Sequence, residues 1–148
     1  MTPDLLFFIA NVAITPFWLL LIFAPRWSWT DRIVHSFAIV QVFAFVYLVL
    51  AIGHFFRNGG GYSSLEAVQV LFNDPYALVA GWIHYLVFDL FVGAWEPCDA
   101  RRLNLPPLAI VTCLLLTFMV GPVGLLAYWI LRAIMRKTYS LDEHAVRA

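Results

Sequence analysis

The sequence predicts an all-α, polytopic membrane protein: about four transmembrane helices in one bundle, with a short interfacial helix between spans two and three. Three observations predict it. Hydrophobic residues make up 63% of the chain and charged residues only 12%, where a soluble domain carries roughly 25% charged residues. Four apolar stretches reach the about 20 residues that a helix needs to cross a hydrocarbon core of about 30 Å. These stretches are read as helices because lipid offers a backbone amide no partner, so each segment must satisfy its own N–H and C=O groups. The length, 148 residues, suits a single domain covering 1–148.

The first span runs over about 5–24 and closes at Pro25-Arg26, with Trp27 and Trp29 suited to the headgroup level. The second covers about 33–52, with Thr30 or Asp31 as N-cap and Gly53-His54 at its exit. The third, about 76–95, follows Asn73-Asp74-Pro75, where Asn73 or Asp74 can cap and Pro75 fits the first turn. The fourth, about 108–131, begins after Pro106-Pro107 and ends in Arg132, Arg136 and Lys137, a basic anchor that suits the helix dipole. Gly121-Pro122 predicts a kink inside it, and Gly124 a close approach to span three.

The longest connection joins spans two and three. It opens on Gly59-Gly60-Gly61, which reads as a hinge, and its later half puts Leu65, Val68, Leu71 and Phe72 on one helical face, the pattern of a helix lying in the interface. The segment 137–148 is a polar tail. Four crossings place both termini on one side, and the positive-inside rule favours the cytoplasm for them by five basic residues to four.

Nine Lys plus Arg balance nine Asp plus Glu, which excludes a basic surface for nucleic acid. Cys98 and Cys113 are too few for a disulfide framework; they read as a loop thiol and a packing residue. Asp4 precedes the first apolar run where a signal peptide would carry basic residues, so that run is expected to stay in the mature protein.

Polar groups inside the spans carry the functional argument, because an ionisable side chain in hydrocarbon costs a few kcal/mol and marks a site when it is kept. On span three Trp82, Tyr85, Asp89 and Glu96 share one stripe, and His84 lies about 140° from Asp89. The arc between them holds Gly81, Tyr85, Phe88 and Val92. A ring-lined pocket with a polar group at each edge suits a bulky apolar ligand. Against this stand plainer readings: Asp89 bonded to a neighbouring helix, His84 tied to a carbonyl, Glu96 solvated at the membrane end. Asn11 on span one, near Thr15-Pro16, is the further polar candidate. No metal is expected, since His35, His54, His84 and His144 are scattered without a pair at one-turn spacing. No serine lies at working depth for a hydrolase triad, and no glycine-rich phosphate loop follows a strand.

The string Phe72-Asn73-Asp74-Pro75-Tyr76-Ala77-Leu78, then Gly81-Trp82-Ile83-His84-Tyr85-Leu86, Phe88-Asp89-Leu90-Phe91-Val92-Gly93 and Trp95-Glu96, resembles the family of the plant abscisic-acid-deficient-four protein, the neoxanthin-synthase-like membrane proteins. The resemblance continues through Leu116-Thr117-Phe118-Met119 and Gly121-Pro122-Val123-Gly124-Leu125-Leu126, and reaches Asn11, Pro16 and Trp18. It implies a role in carotenoid biosynthesis. The absence of a Ser- and Arg-rich leader favours a bacterial inner-membrane member.

Two functions are expected from this combination. One is an epoxy-carotenoid isomerase working without redox cofactor. Turning a 5,6-epoxide into an allenic alcohol needs an acid at the oxygen and a base at the polyene, here Asp89 and His84. Asn11, Trp82, Tyr85, Phe88, Glu96, Asn73 and Asp74 complete the substrate-binding set. The alternative is a non-catalytic carotenoid- or lipid-binding subunit that assists a partner enzyme. A transporter is disfavoured, since Asp89 and His84 are the only deep relay groups. The expected partners are a carotenoid or other long apolar lipid, the bilayer, and a second copy or a pathway enzyme; nucleic acid is not among them.

Overall fold

A computed structural model describes residues 1–36, 38–55, 57 and 59–139. Among the described residues seven helices follow in order: α1 (Pro3–Phe23), α2 (Ser28–Ile33), α3 (Ala38–His54), α4 (Leu65–Phe72), α5 (Pro75–Arg102), α6 (Pro107–Val120) and α7 (Pro122–Arg136). The described residues contain no strand, and the fold is all-α. Among the described residues three stretches are long and apolar enough to cross a membrane: Pro3–Phe23, Ser28–His54 and Pro75–Arg102. The last nine residues of the expected polar tail lie outside the described residues.

The chain divides into two compact units, Met1–Pro16 with Phe37–Phe88, and Phe17–Ser36 with Asp89–Ala148. In the first, α1 opens with Thr2 Oγ1 accepting from the Leu5 amide at 3.4 Å. The Tyr76 hydroxyl donates to the Met1 carbonyl at 3.0 Å, which ties the chain's start to the first turn of α5. Ser64 caps α4 by accepting from the Ala67 amide at 3.1 Å. On α4, Leu71 is buried while Leu65 is 76% exposed, so the inward face is narrower than the spacing predicts. Within the glycine triplet, Gly60 is a packing position. A Cβ on Gly60 would stand 2.5 Å from the Leu71 backbone, so this position is a close approach that only glycine allows.

In the second unit the stretch expected as one fourth span is two helices. Gly121, at φ 43° and ψ −97°, ends α6 and starts α7. The chain then turns back on itself: Gly124 presses on the Thr117 backbone, and at the far end Arg136 donates to the Asn104 carbonyl just ahead of α6. Gly124 therefore serves α6–α7 packing, where a contact with span three was expected. At 14 residues, α6 is about 21 Å long, short of the about 30 Å core. The hydropathy of 108–131 could not reveal this, because both arms of the hairpin are apolar. The tally of basic residues per side, which assumed four crossings, loses its basis.

Span three is longer than expected, running on to Arg102 with Pro97 inside it. Its polar end, Glu96 and Asp99, is buried against the hairpin rather than dissolved in headgroups.

Candidate functional site

In the first unit the rings and polar groups gather around Trp82. Its indole Nε1 donates to Asn11 Oδ1 at 3.2 Å. The Asn11 amide nitrogen in turn donates to the Phe7 carbonyl, 2.7 Å away one turn earlier. Asn11 thus orients the indole from α1, and Thr15 Oγ1 closes the next turn onto the Asn11 carbonyl at 2.7 Å. The ring of Trp82 lies 5.3 Å from Phe7 and 5.2 Å from Tyr85. A cavity of about 280 Å³ opens at this edge, walled by Pro3, Phe7, Pro75, Leu78, Val79 and Trp82. Its lining is apolar apart from Asp4.

His84 is exposed, with its ring centroid 4.6 Å from Phe88 and 5.5 Å from Tyr47 of α3. Phe88 is 56% exposed. The outward surface of this part of α5 is therefore aromatic, and in a membrane it faces acyl chains.

Asp74 has both oxygens engaged. Oδ1 accepts from the Tyr76 and Ala77 amides at 2.8 and 3.2 Å, which caps α5, and Oδ2 is 3.2 Å from His54 Nδ1. His54 also stacks on Tyr76 at 4.4 Å. Partial burial pushes the Asp74 carboxyl up, but His54 and the two amides together outweigh it and hold the group below its ordinary value. Asn73 is exposed at the C-cap of α4.

The second unit holds the two remaining candidates. The Asp89 carboxylate lies against Gly121 at the hairpin turn. Glu96 is fully buried, and its Oε1 accepts from Thr117 Oγ1 at 2.8 Å. One turn further on, Asp99 gathers a network that the sequence reading missed. Tyr128 donates to Asp99 Oδ2 at 2.6 Å, Arg132 Nε is 3.1 Å from the same oxygen, and Arg102 donates to Oδ1 at 2.6 Å. Arg132 is fully buried, its guanidinium 4.7 Å from the Trp129 ring and 5.8 Å from that of Trp95. It was expected as a membrane-surface anchor. The signal that could have identified it is Tyr128 and Trp129 one turn before, which supply a hydrogen-bonding and a cation–π neighbour on one helical face.

His84 and Asp89, five residues apart on α5, thus fall one in each unit, the first among rings and the second at a backbone turn. The profile of ABA DEFICIENT 4-like proteins matches residues 5–128. The chain belongs to this family. The match takes in every expected site residue from Asn11 to Glu96 and ends at Tyr128, ahead of Arg132. Among curated proteins, the chain is similar to Protein ABA DEFICIENT 4, chloroplastic, of Arabidopsis thaliana, at 25% identity over 142 residues. That alignment takes in 90% of this chain and 63% of the relative, so the chain spans less than two thirds of that protein's length. No solved structure matches. The family expected from the Gly81–Gly93 string is thereby borne out; the bacterial host expected with it is not.

Proposed function

We propose that this chain acts on a carotenoid dissolved in the bilayer, as an isomerase of epoxy end groups of the neoxanthin-synthase type. The observation that carries this reading is the aromatic face of the first unit, where Phe7, Trp82 and Tyr85 lie in series beside an apolar cavity. At about 280 Å³ the cavity falls just below the roughly 300–1,000 Å³ of ordinary ligand pockets. It suits one end ring of a long polyene, with the conjugated chain lying along the exposed rings.

In this reading Asp89 protonates the epoxide oxygen and His84 removes the polyene proton, so the bond change is a rearrangement with no redox partner. Asn11, through its hold on Trp82, orients the ring that packs on the substrate. The test is pigment analysis in a host that makes violaxanthin. The intact chain should convert it to an allenic product, and Asp89→Asn and His84→Ala should each reduce conversion by about 10²-fold or more. Full turnover by both variants would remove the acid–base assignment.

A second reading, a non-catalytic carotenoid-binding subunit, is favoured by the exposure of His84 and by the structural use of Asp74 and Asn11. It predicts a pigment that co-purifies unchanged. Trp82→Ala should then weaken pigment retention by about tenfold, which corresponds to about 1.4 kcal/mol.

A further inference from the structure

The second unit holds a cavity that the carotenoid reading does not use. Its volume is about 170 Å³, and it is bordered by Arg26, just past α1, and Arg101, in the last turn of α5. Leu105, Ile110, Val111 and Leu114 form an apolar wall. Both arginines are exposed, while Leu105, Ile110 and Leu114 are buried. The charge therefore stands at the mouth and the apolar surface lies within.

Local structure fixes both cations. The Trp27 amide donates to the Ala24 carbonyl at 3.1 Å, closing the turn that carries Pro25-Arg26, and the hydroxyl of the fully buried Thr30 donates to the same carbonyl at 2.7 Å. Arg101 Nη2 donates to Cys98 Sγ at 3.2 Å and lies 3.5 Å from Asp31 Oδ1. Asp31 is half exposed and also 2.7 Å from His35 Nδ1. An exposed ion pair at that separation is weak, so a doubly accepting oxyanion competes well for Arg101. Past α5, Asn104 takes a left-handed φ of 51° and the Leu105 amide donates to the Ala100 carbonyl at 2.9 Å. This turn brings α6 back beside α5 and completes the wall.

Position in the chain sets the depth. Arg26 follows one membrane-length helix, Pro3–Phe23, and Arg101 closes another, Pro75–Arg102. Trp27 and Trp29, each about half exposed, belong to a residue type that favours the headgroup level. From Pro107 at the mouth, α6 carries the wall inward, and Leu114 lies about 10 Å further along its axis. Paired guanidiniums at headgroup depth, over an apolar wall, match a phosphodiester with a hydrocarbon chain beneath it. The cavity is smaller than the roughly 300–1,000 Å³ that encloses a whole ligand, so its occupant keeps most of its length in the bilayer.

We propose that this cavity binds an anionic glycerophospholipid. The phosphate oxygens accept from the Arg26 and Arg101 guanidiniums, and one acyl chain lies along Ile110, Val111 and Leu114. Every residue of the site belongs to the second unit, so the proposal stands whether or not the chain acts on a pigment.

The experiment is native mass spectrometry of the full chain in detergent with dioleoyl phosphatidylglycerol or dioleoyl phosphatidylcholine, which share their chains and differ in net charge. The first should be retained about tenfold better than the second, and Arg26→Gln and Arg101→Gln should each remove most of that preference. Arg57→Gln, at an exposed arginine of the first unit, should leave it intact. Val111→Trp fills the cavity while keeping both cations and should lower retention as far as the arginine variants do. Full retention by a folded Val111→Trp overturns the cavity as the site. Equal retention of the two lipids, or an equal loss with Arg57→Gln, overturns recognition by Arg26 and Arg101, and this comparison decides even if Val111→Trp misfolds. Sodium phosphate separates a headgroup from a free ion: a rise in unfolding midpoint as large as the lipid produces overturns the lipid as occupant.

Discussion

Asp89 and Gly121 define the tip of the α6–α7 hairpin: a Cβ placed on Gly121 would stand 2.6 Å from Asp89 Oδ1. Gly121 also has a positive φ of 43°, so two separate constraints require glycine there. Gly121→Ala is expected to lower stability by about 2–4 kcal/mol, combining left-handed strain with displacement of the carboxylate. Gly124→Ala should cost at least as much, since its neighbour is the Thr117 backbone, which cannot rotate aside as a side chain can. Gly93→Ala meets only the Trp18 ring and should be the mildest of the three. Thermal unfolding in detergent ranks them, and Gly93→Ala as the most damaging would contradict this packing.

The hairpin also predicts accessibility. Met119, 69% exposed beside the tip, should lie in hydrocarbon rather than in water. In a Cys98→Ser, Cys113→Ser background, Met119→Cys should resist a membrane-impermeant maleimide applied from either face. A cysteine at Asn104, at the hairpin's base, should react from one face. Labelling of Met119→Cys from the face opposite Asn104 would mean that α6 crosses after all.

Arg132 and Asp99 form a buried ion pair whose partners should be removed together, not singly. Arg132→Leu leaves the Asp99 charge with fewer donors and should cost about 3–5 kcal/mol. Adding Asp99→Leu should recover a substantial part of that loss, because the Asp99 charge that Arg132 faced is then gone as well. A double-mutant cycle on the unfolding midpoint measures the coupling. Strict additivity of the two losses would mean the pair is not energetically linked.

Asp74 gives an acid limb with a defined sign. Its carboxyl is held below the ordinary value of 3.8, so the folded state binds the proton less readily than the unfolded chain does. The stabilisation is complete above that ordinary value and is lost as the pH falls through the lowered folded value. Asp74→Asn should therefore be less stable than the parent at neutral pH, with the difference shrinking below about pH 4. Unfolding midpoints from pH 7 to pH 3 test this, and a constant difference across that range would show that the charge is not what stabilises the α5 cap.

How far each part could be read in advance depended on the range of the signal. The α5 start was legible because Asn73-Asp74-Pro75 places a side-chain acceptor and a fixed φ next to free amides, all within three residues. The pairing of Asp74 with His54, 20 residues earlier, carried no comparable local mark. Asn11 was legible as a polar group in an apolar run, yet its use in holding Trp82 was not, because 71 residues separate them. Cys98 read as a loop thiol because polar residues end the hydropathy window near 95, and α5 continues past it.

By itself the sequence determined the helical class, the apolar segments and the family, since these follow from composition, from spacing along one helix and from a contiguous string of residues. Tertiary structure alone decided that the fourth apolar stretch folds back at Gly121, that Arg132 is buried with Asp99, and that Arg101 reaches both Asp31 and Cys98. The physical reason is that hydropathy reports the energy of placing a residue in lipid, whereas a turn in mid-stretch and a buried charge are stabilised by particular neighbours distant in the chain.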